Sequence, residues 1–179
     1  MKIWQGGAVL GKPRRAWKIG AMDIRDITKA DLPALLALNN SEAEAVNDMT
    51  LDAFEGRLRN AYAARMLADG RGFLIAFDHA TPPQGPNHAW FTARESYFAY
   101  VDRVVVAPAA RGKGVASALY EDLAAIARAD KIPLLVCEVN LEPLNAVSMA
   151  FHERRGFTIA GETTDHRYGK RVRYLRKPI

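Results

Sequence analysis

The sequence contains one cysteine, Cys137, and no long apolar run. A single cysteine cannot form an internal disulfide, which excludes the disulfide-rich secreted proteins. No stretch approaches the ~20 uninterrupted apolar residues that cross a bilayer. We therefore expect a protein of the reducing cytoplasm with no membrane partner.

Patterns typical of metal sites are also missing. No pair of histidines or cysteines has ligand spacing, so we expect no metal. Cys137 lies in the apolar run 134–139, which favours an inert buried thiol over a nucleophile. The four histidines are scattered along the chain: His79, His88, His152 and His166.

Acidic residues are absent from residues 1–21, which carry five lysines and arginines. The remaining chain has equal numbers of basic and acidic side chains, so the net charge of +5 belongs to this segment. Five charges are few for a nucleic-acid surface, and we expect no nucleic-acid partner. Residues 1–21 are predicted to be a loosely ordered basic extension. A basic arm that contacts an acidic partner is the alternative.

The chain of 179 residues, 49% apolar and 25% charged, predicts one globular domain over residues 22–179. Hydrophobic periodicity and turn residues predict strands alternating with helices, which is the α/β class. The predicted strands cover 23–27, 73–77, 97–106, 134–139, 157–162 and 170–176. The predicted helices cover 31–39, 50–66, 114–129 and 145–155, with a helical turn at 89–95.

The strongest motif is a strand that runs through a basic, glycine-containing loop, 107–114, into a helix. Backbone N–H groups at a helix start lack partners and bind phosphate oxygens. The loop is not a Walker motif, and Ser117 stands where a dinucleotide-binding fingerprint needs its third glycine. A phosphate site and an ordinary tight turn both remain open at this point.

Two motifs then carry a resemblance to the GNAT superfamily of acetyl-CoA-dependent N-acetyltransferases. The family loop Arg/Gln-x-x-Gly-x-Gly/Ala is matched by Arg111, Gly114 and Ala116. About 30 residues later, the pattern Asn-x-x-(small)-x-x-Leu-Tyr-x-Lys/Arg-x-Gly-Phe is matched at Asn145, Ser148, Phe151, Arg154 and Gly156-Phe157. The resemblance extends over 97–162 and 22–40 and is weak between 41 and 96.

The resemblance implies a single-domain GNAT fold: a mixed central sheet, splayed between its fourth and fifth strands and flanked by helices. It also implies acetyl-CoA as co-substrate, its pyrophosphate held by the loop and its pantetheine arm paired with the edge of the preceding strand. The implied cofactor residues are Val104, Val105, Val106, Arg111, Gly112, Lys113, Gly114, Val115, Ala116, Asn145 and Ser148.

The departure from the family pattern that matters most is His152, which stands where many relatives place a tyrosine near the CoA sulfur. An imidazole could donate a proton or a hydrogen bond to the leaving thiolate. A helix histidine that faces solvent or packs beside Phe151 is the alternative.

The acceptor amine needs a base, because an amine with a lysine-like pKa is neutral in only about one part in a thousand near pH 7. Tyr100 and Asp102 share one strand face, and the resemblance implies that these positions often carry the base. An ion pair with an arginine is the competing role for Asp102. Glu138 is a second-rank candidate, with pairing to Arg103 as its alternative.

The acceptor pocket is expected from residues that precede the cofactor strand, although an aromatic cluster there is more often part of the core. The predicted acceptor residues are Asn39, Asn40, Trp90, Phe91 and Tyr97. The expected acceptor is the primary amine of a small molecule, an amino acid or a peptide, and the protein is expected to be a monomer or homodimer. A non-catalytic acyl-CoA-binding or sensing module is the alternative function.

Overall fold

The computed structural model describes residues 12–165 and 170–179, which form one eight-stranded mixed sheet covered by helices. The strands are β1 (Trp17–Ile19), β2 (Met22–Asp26), β3 (Ala63–Leu67), β4 (Gly72–Asp78), β5 (Ala99–Val106), β6 (Leu134–Glu142), β7 (Thr158–Asp165) and β8 (Lys170–Pro178). The helices are α1 (Leu32–Ser41), α2 (Ala43–Val46), α3 (Leu51–Arg59), α4 (Pro86–Thr92), α5 (Val115–Ala129) and α6 (Ala146–Arg154).

The strand order is β1-β2-β3-β4-β5-β6-β8-β7, and its one parallel pair is β5–β6. That pairing is short, running only from Ala99 opposite Leu135 to Val101 opposite Cys137. Beyond this point β5 and β6 separate, while each stays paired with its other neighbour. Counted from β2 these are the fourth and fifth strands, so the predicted fold and its splay are confirmed.

The core lies on both faces of the sheet. The apolar stripe of α5 covers one face, where Leu119 and Leu123 are fully buried. On the other face α1, α3 and α4 bury Leu35, Phe54 and Phe91. Because both faces are covered, the central strands are apolar on both sides.

The predicted helix over 50–66 is too long. It begins as expected, since the Thr50 side chain accepts a hydrogen bond from the Ala53 N–H, but it ends at Arg59. Tyr62 precedes β3 and Met66 lies within it, and all five residues of β3 are buried. A strand covered on both faces has no period-two alternation, so its apolar residues continued the helical spacing by coincidence.

The segment that precedes β2 is more ordered than the sequence predicts from residue 12 onward. It contributes β1, which pairs with β2. The Arg14 N–H donates to the Asp26 carboxylate at 2.6 Å, and the Arg15 carbonyl accepts from Arg65 at 3.0 Å. Arg65 is fully buried and also binds Asp26 and Asp122. The rest of the predicted extension, residues 1–11, lies outside the described residues.

The six α-helices of the described ranges are 4 to 15 residues long, whereas a membrane-spanning helix needs about 20 residues. None of them is both long enough and apolar enough to cross a membrane.

Candidate active site

The gap between β5 and β6 opens into a cavity of about 920 Å³. Residues 101–106 of β5 and 137–140 of β6 form its walls. The start of α5 lies at one end of the cavity, and α6 contributes residues along one side. The cavity therefore follows the unpaired edge of β5 from the loop before α5 to the vertex, the point at which β5 and β6 separate.

The loop before α5 presents free backbone donors. The Arg111 N–H is bonded to the Pro108 carbonyl, and the first helical bond of α5 runs from the Ala118 N–H to the Gly114 carbonyl. Within the described residues, the six N–H groups from Gly112 to Ser117 have no hydrogen-bond partner. Such a set of free amides at the positive end of a helix suits a phosphate group.

Two glycines allow the loop to take this shape. Gly112 and Gly114 have φ angles of +73° and +81°, a region in which a side chain is strained. Gly114 is also the residue immediately before α5, so its conformation sets the start of the helix. The backbone therefore requires glycine here independently of any ligand.

Ten of the eleven predicted cofactor residues line the cavity, and the exposed Lys113 does not. Arg111 forms an ion pair with Glu42, the residue that follows α1. Asn145 caps α6, because its side-chain oxygen accepts from the Ser148 N–H at 3.0 Å. The Arg111 guanidinium is thus already paired with a carboxylate.

At the vertex, the carboxyl group of Glu138 is buried and only half satisfied. Its Oε1 accepts a hydrogen bond from the Asn87 side chain at 3.1 Å, and its Oε2 has no hydrogen-bond partner. Burial raises the pKa of Glu138 to about 7; Asp102 adds to the rise, and the nearby Tyr100 hydroxyl and Asn87 oppose it. This pKa suits a base that works near neutral pH.

The two first-rank base candidates line the cavity but have other partners. Asp102 accepts from the Arg57 guanidinium and from Arg103, the latter at 2.7 Å, which fits the ion-pair role for this carboxylate. Burial and the neighbouring Glu138 raise the pKa of Tyr100 well above its usual range. Tyr100 therefore keeps its proton near neutral pH.

His152 is buried, with 3% of its surface exposed, and does not face solvent. Its Nδ1 lies 2.8 Å from the Ser148 carbonyl oxygen, and its Nε2 lies 2.7 Å from the Tyr120 hydroxyl. Burial lowers the pKa of His152. Tyr120, on the buried face of α5, also lines the cavity. No sequence signal separated it from the core residues beside it.

The five predicted acceptor residues, all within the described ranges, do not line the cavity. Phe91 belongs to the core, and Trp90 stacks on Tyr174 with ring centroids 4.1 Å apart. Tyr97 is 60% exposed and packs on His79 instead. The aromatic residues thus follow the core alternative or lie at the surface.

Asn39 and Asn40 reach the cavity only through residues that line it, on β5 and on the loop that follows α2. Asn39 is fully buried; it accepts from Arg103 at 2.6 Å and donates to the Asn47 carbonyl at 3.0 Å. The Asn40 side chain both donates to and accepts from the Met49 backbone. The partners of the two asparagines, Arg103, Asn47 and Met49, therefore line the cavity, and the asparagines themselves do not. The cavity is also lined by residues that the sequence did not indicate: Val46, Asn47, Asp48, Met49, Arg57, Gln84, Asn87, His88, Lys170 and Val172.

A sheet splayed at one parallel pair, with free amides at a helix start beside the open edge, defines a cofactor-dependent acyltransferase fold. The family model described as the Acetyltransferase (GNAT) family matches residues 32–157. This chain belongs to that family, and the resemblance recognised in the sequence is confirmed.

Individual relatives are acetyltransferases as well. The chain is 29% identical over 150 residues to the L-methionine sulfoximine/L-methionine sulfone acetyltransferase of Pseudomonas paraeruginosa, covering 78% of this chain and 81% of the relative. The structure of the ribosomal-protein-alanine N-acetyltransferase from Brucella melitensis matches with a TM-score of 0.63 and 26% identity, covering 87% and 99% of the two chains. The structure of yncA from Salmonella typhimurium with its cofactor acetyl-CoA matches with a TM-score of 0.64 and 22% identity, covering 89% and 94%. The last of these likenesses concerns the fold alone.

Proposed function

We propose that this acetyltransferase moves an acetyl group from acetyl-CoA directly to a primary amine. The observation that carries the proposal is the pairing of two features in one cavity. Free amides from Gly112 to Ser117 lie at one end, and the half-satisfied carboxyl of Glu138 lies at the other. The first feature suits a diphosphate and the second suits a protonated amine.

The donor would lie along the open edge of β5. Its diphosphate would accept from the free loop amides, and its amide-containing arm would pair with the strand edge as another strand would. From Val106 to Val101 the edge spans five residue-to-residue steps, which is about 17 Å at the usual rise of a strand. The thioester would then reach the vertex, beside Glu138.

Glu138 is the proposed base. It would take the proton from the ammonium group of the acceptor, and the neutral nitrogen would attack the thioester carbonyl directly, without a covalent enzyme intermediate. A backbone N–H on the open edge of β5 at the vertex would stabilise the oxyanion. Asp102 is less suited to this task, because two arginines already share its charge.

The acceptor is proposed to contain an α-amino acid unit. The Arg57 guanidinium lines the cavity and pairs with Asp102 through one nitrogen, Nη1, leaving the rest of the fork for a carboxylate or carbonyl oxygen. The name of the Pseudomonas relative specifies a modified methionine, and that of the Brucella relative specifies an alanine of a ribosomal protein. Free amino acids are therefore the first acceptors to screen, and peptides with a free N-terminus the second.

The test has two stages. Calorimetry with acetyl-CoA and with CoA measures donor binding, and a thiol-reactive dye then measures CoA release with a panel of amino acids, peptides and other amines. The proposal expects donor binding and amine-dependent thiol release above hydrolysis. Donor binding without release for any amine would support the non-catalytic sensing module instead. Absence of donor binding would contradict both functions.

Glu138→Gln tests the base, with Glu142→Gln as a control on the same strand. Glu142 is exposed and pairs with Arg171, outside the cavity. We expect Glu138→Gln to reduce turnover about 100-fold or more, with unchanged acetyl-CoA affinity. The control should keep both values. Wild-type turnover in Glu138→Gln would remove Glu138 from the proposed chemistry.

A further inference from the structure

The hydroxyl group of Tyr120 occupies a position that the sequence motifs do not predict. Tyr120 extends from α5 and is 2% exposed, yet it lines the cavity together with Cys137 and Glu138 at the vertex. Its hydroxyl lies 2.7 Å from Nε2 of His152. His152, the residue at the family's tyrosine position, is therefore in direct contact with a different tyrosine.

The protons of this pair follow from the hydrogen bonds. The Ser148 carbonyl can only accept, so Nδ1 of His152 carries a proton and donates it at 2.8 Å. Burial lowers the pKa of His152, so the ring is neutral and Nε2 is an acceptor. Tyr120 must then donate its hydroxyl proton to Nε2. Burial raises the pKa of Tyr120 well above its usual range, so the hydroxyl keeps that proton.

The other ionisable groups near the Tyr120 hydroxyl do not replace it as a donor to the cavity. Cys137 and Glu138 approach from β6, and burial raises the pKa of the Cys137 thiol. Arg155, just beyond α6, lies over the Tyr120 ring at 5.8 Å from its centroid. A thiol is a weak donor, and the guanidinium packs on the ring, so the phenolic O–H is the strong donor of this group.

On the basis of the proposed function, we propose that Tyr120 donates a hydrogen bond to the CoA sulfur as the thiolate leaves, and that His152 is the positioning residue that holds this hydroxyl. Glu138 takes the first proton of the ammonium group before the attack. When the C–S bond breaks, its electron pair goes to sulfur, and the second proton that the nitrogen loses on becoming an amide passes to solvent. The Tyr120 O–H turns from Nε2 to the sulfur and retains its proton. The predicted role of His152 near the sulfur is thereby moved to Tyr120.

The pKa of the thiol in bound CoA tests this proposal without knowledge of the acceptor. Calorimetric titrations in buffers of different ionisation enthalpy count the protons released when CoA binds. Desulfo-CoA, which lacks the thiol, provides the blank. The pH dependence of the difference gives the thiol pKa in the complex, for the wild type and for each variant.

Tyr120→Phe removes only the hydroxyl, and Tyr62→Phe is the matched control. Tyr62 is also 2% exposed and donates to Asp130 at 2.7 Å, outside the active-site cavity. We expect the wild type to lower the thiol pKa of bound CoA by about one unit from about 8.5, and Tyr120→Phe to abolish that shift. Tyr62→Phe should retain the shift. Turnover of Tyr120→Phe should fall about 10-fold at unchanged acetyl-CoA affinity.

Variants of His152 separate positioning from direct contact. His152→Phe removes the acceptor for the Tyr120 hydroxyl and should lose part of the shift. His152→Gln offers an amide oxygen in its place and should recover some of it. If His152→Phe lost the whole shift of the thiol pKa and Tyr120→Phe left the shift unchanged, the proposal would be overturned, because His152 itself would then be the group that contacts the sulfur.

The outcomes also distinguish this proposal from the proposed function. Normal CoA binding with the same thiol pKa in wild type and Tyr120→Phe would overturn the role of Tyr120 alone. If Tyr120→Phe does not fold, the thiol pKa of CoA bound to the wild type is the test. A value that is not lowered from that of free CoA would overturn the proposed role of Tyr120. A wild type that does not bind CoA would overturn both.

Discussion

Replacing Glu138 by glutamine should stabilise the protein at alkaline pH while it removes activity. The pKa of Glu138 rises from its ordinary value of 4.5 to about 7, chiefly because the carboxyl is buried. A carboxyl group whose pKa is higher in the folded chain than in the unfolded chain lowers the unfolding free energy once the pH exceeds its pKa in the unfolded chain. The cost reaches its full value above the folded pKa. Glutamine cannot ionise, so the variant avoids this cost.

The magnitude follows from the size of the shift. A difference of about 2.5 pKa units corresponds to about 3 kcal/mol of unfolding free energy. For a chain of this length, that is about 6 to 12 °C in melting temperature. Urea unfolding at about pH 4 and about pH 8 would measure it. The unfolding free energy of Glu138→Gln should equal that of the wild type at the lower pH and exceed it by about 3 kcal/mol at the higher pH.

Glu142→Gln is the control, because its exposed side chain should give no such pH-dependent gain. Equal or lower stability of Glu138→Gln than of wild type near pH 8 would refute the reasoning, since the folded chain would then impose no ionisation cost on Glu138. A gain that is the same at both pH values would point to packing and not to charge.

Three further predictions concern the donor site and the N-terminal segment. Gly114→Glu should abolish acetyl-CoA binding in calorimetry, because it adds a negative charge beside the free loop amides and a side chain at a residue whose φ is +81°. Glu42→Gln should tighten CoA binding about 2- to 5-fold by releasing Arg111 from its ion pair. Deleting residues 1–21 should lower the unfolding free energy by about 2 to 5 kcal/mol, because the buried Asp26 and Arg65 each lose a backbone partner.

Each of these has a matched comparison. Gly70→Glu adds the same side chain at a similar φ of +78°, outside the cavity, so its acetyl-CoA affinity should stay at the wild-type value. Glu44→Gln removes a nearby charge outside the cavity and should leave CoA affinity unchanged. A chain that begins at Lys12 keeps the contacts of Arg14 and Arg15, and its unfolding free energy should exceed that of the chain without residues 1–21 by about 2 to 5 kcal/mol. Wild-type behaviour in the three test variants would contradict the corresponding assignments.

The loop end of the cavity could be predicted, as a place with free backbone donors, because it depends on local sequence. The strand, the loop of Arg111 to Gly114 and the start of α5 are consecutive, and the backbone itself supplies the donors. The same holds for Asn145, which caps the helix that it begins. A motif of this kind fixes geometry without any long-range contact.

The rest of the cavity lining could not be predicted, because it is assembled from segments that are distant in the sequence. Arg57 comes from α3, Asn87 from α4 and Lys170 from β8, and no spacing in the chain links them. Period-two geometry correctly placed Tyr100 and Asp102 on one strand. It could not show that Arg57 would reach Asp102 from another helix. The identity of the partner, and with it the choice between base and ion pair, is a tertiary property.

The buried carboxyl of Glu138 also favours an acceptor that enters as an ammonium ion. Glu138 is buried, and the neighbouring carboxylate of Asp102 further disfavours a second negative charge. A cation placed against the free Oε2 would reverse this balance, because it would lower the pKa of Glu138 and favour its ionised form. An ammonium ion brings both this charge and the proton that the base must remove, whereas a neutral alcohol brings neither. The same burial that makes the ionised form of Glu138 costly to the folded chain would therefore make it selective for amines.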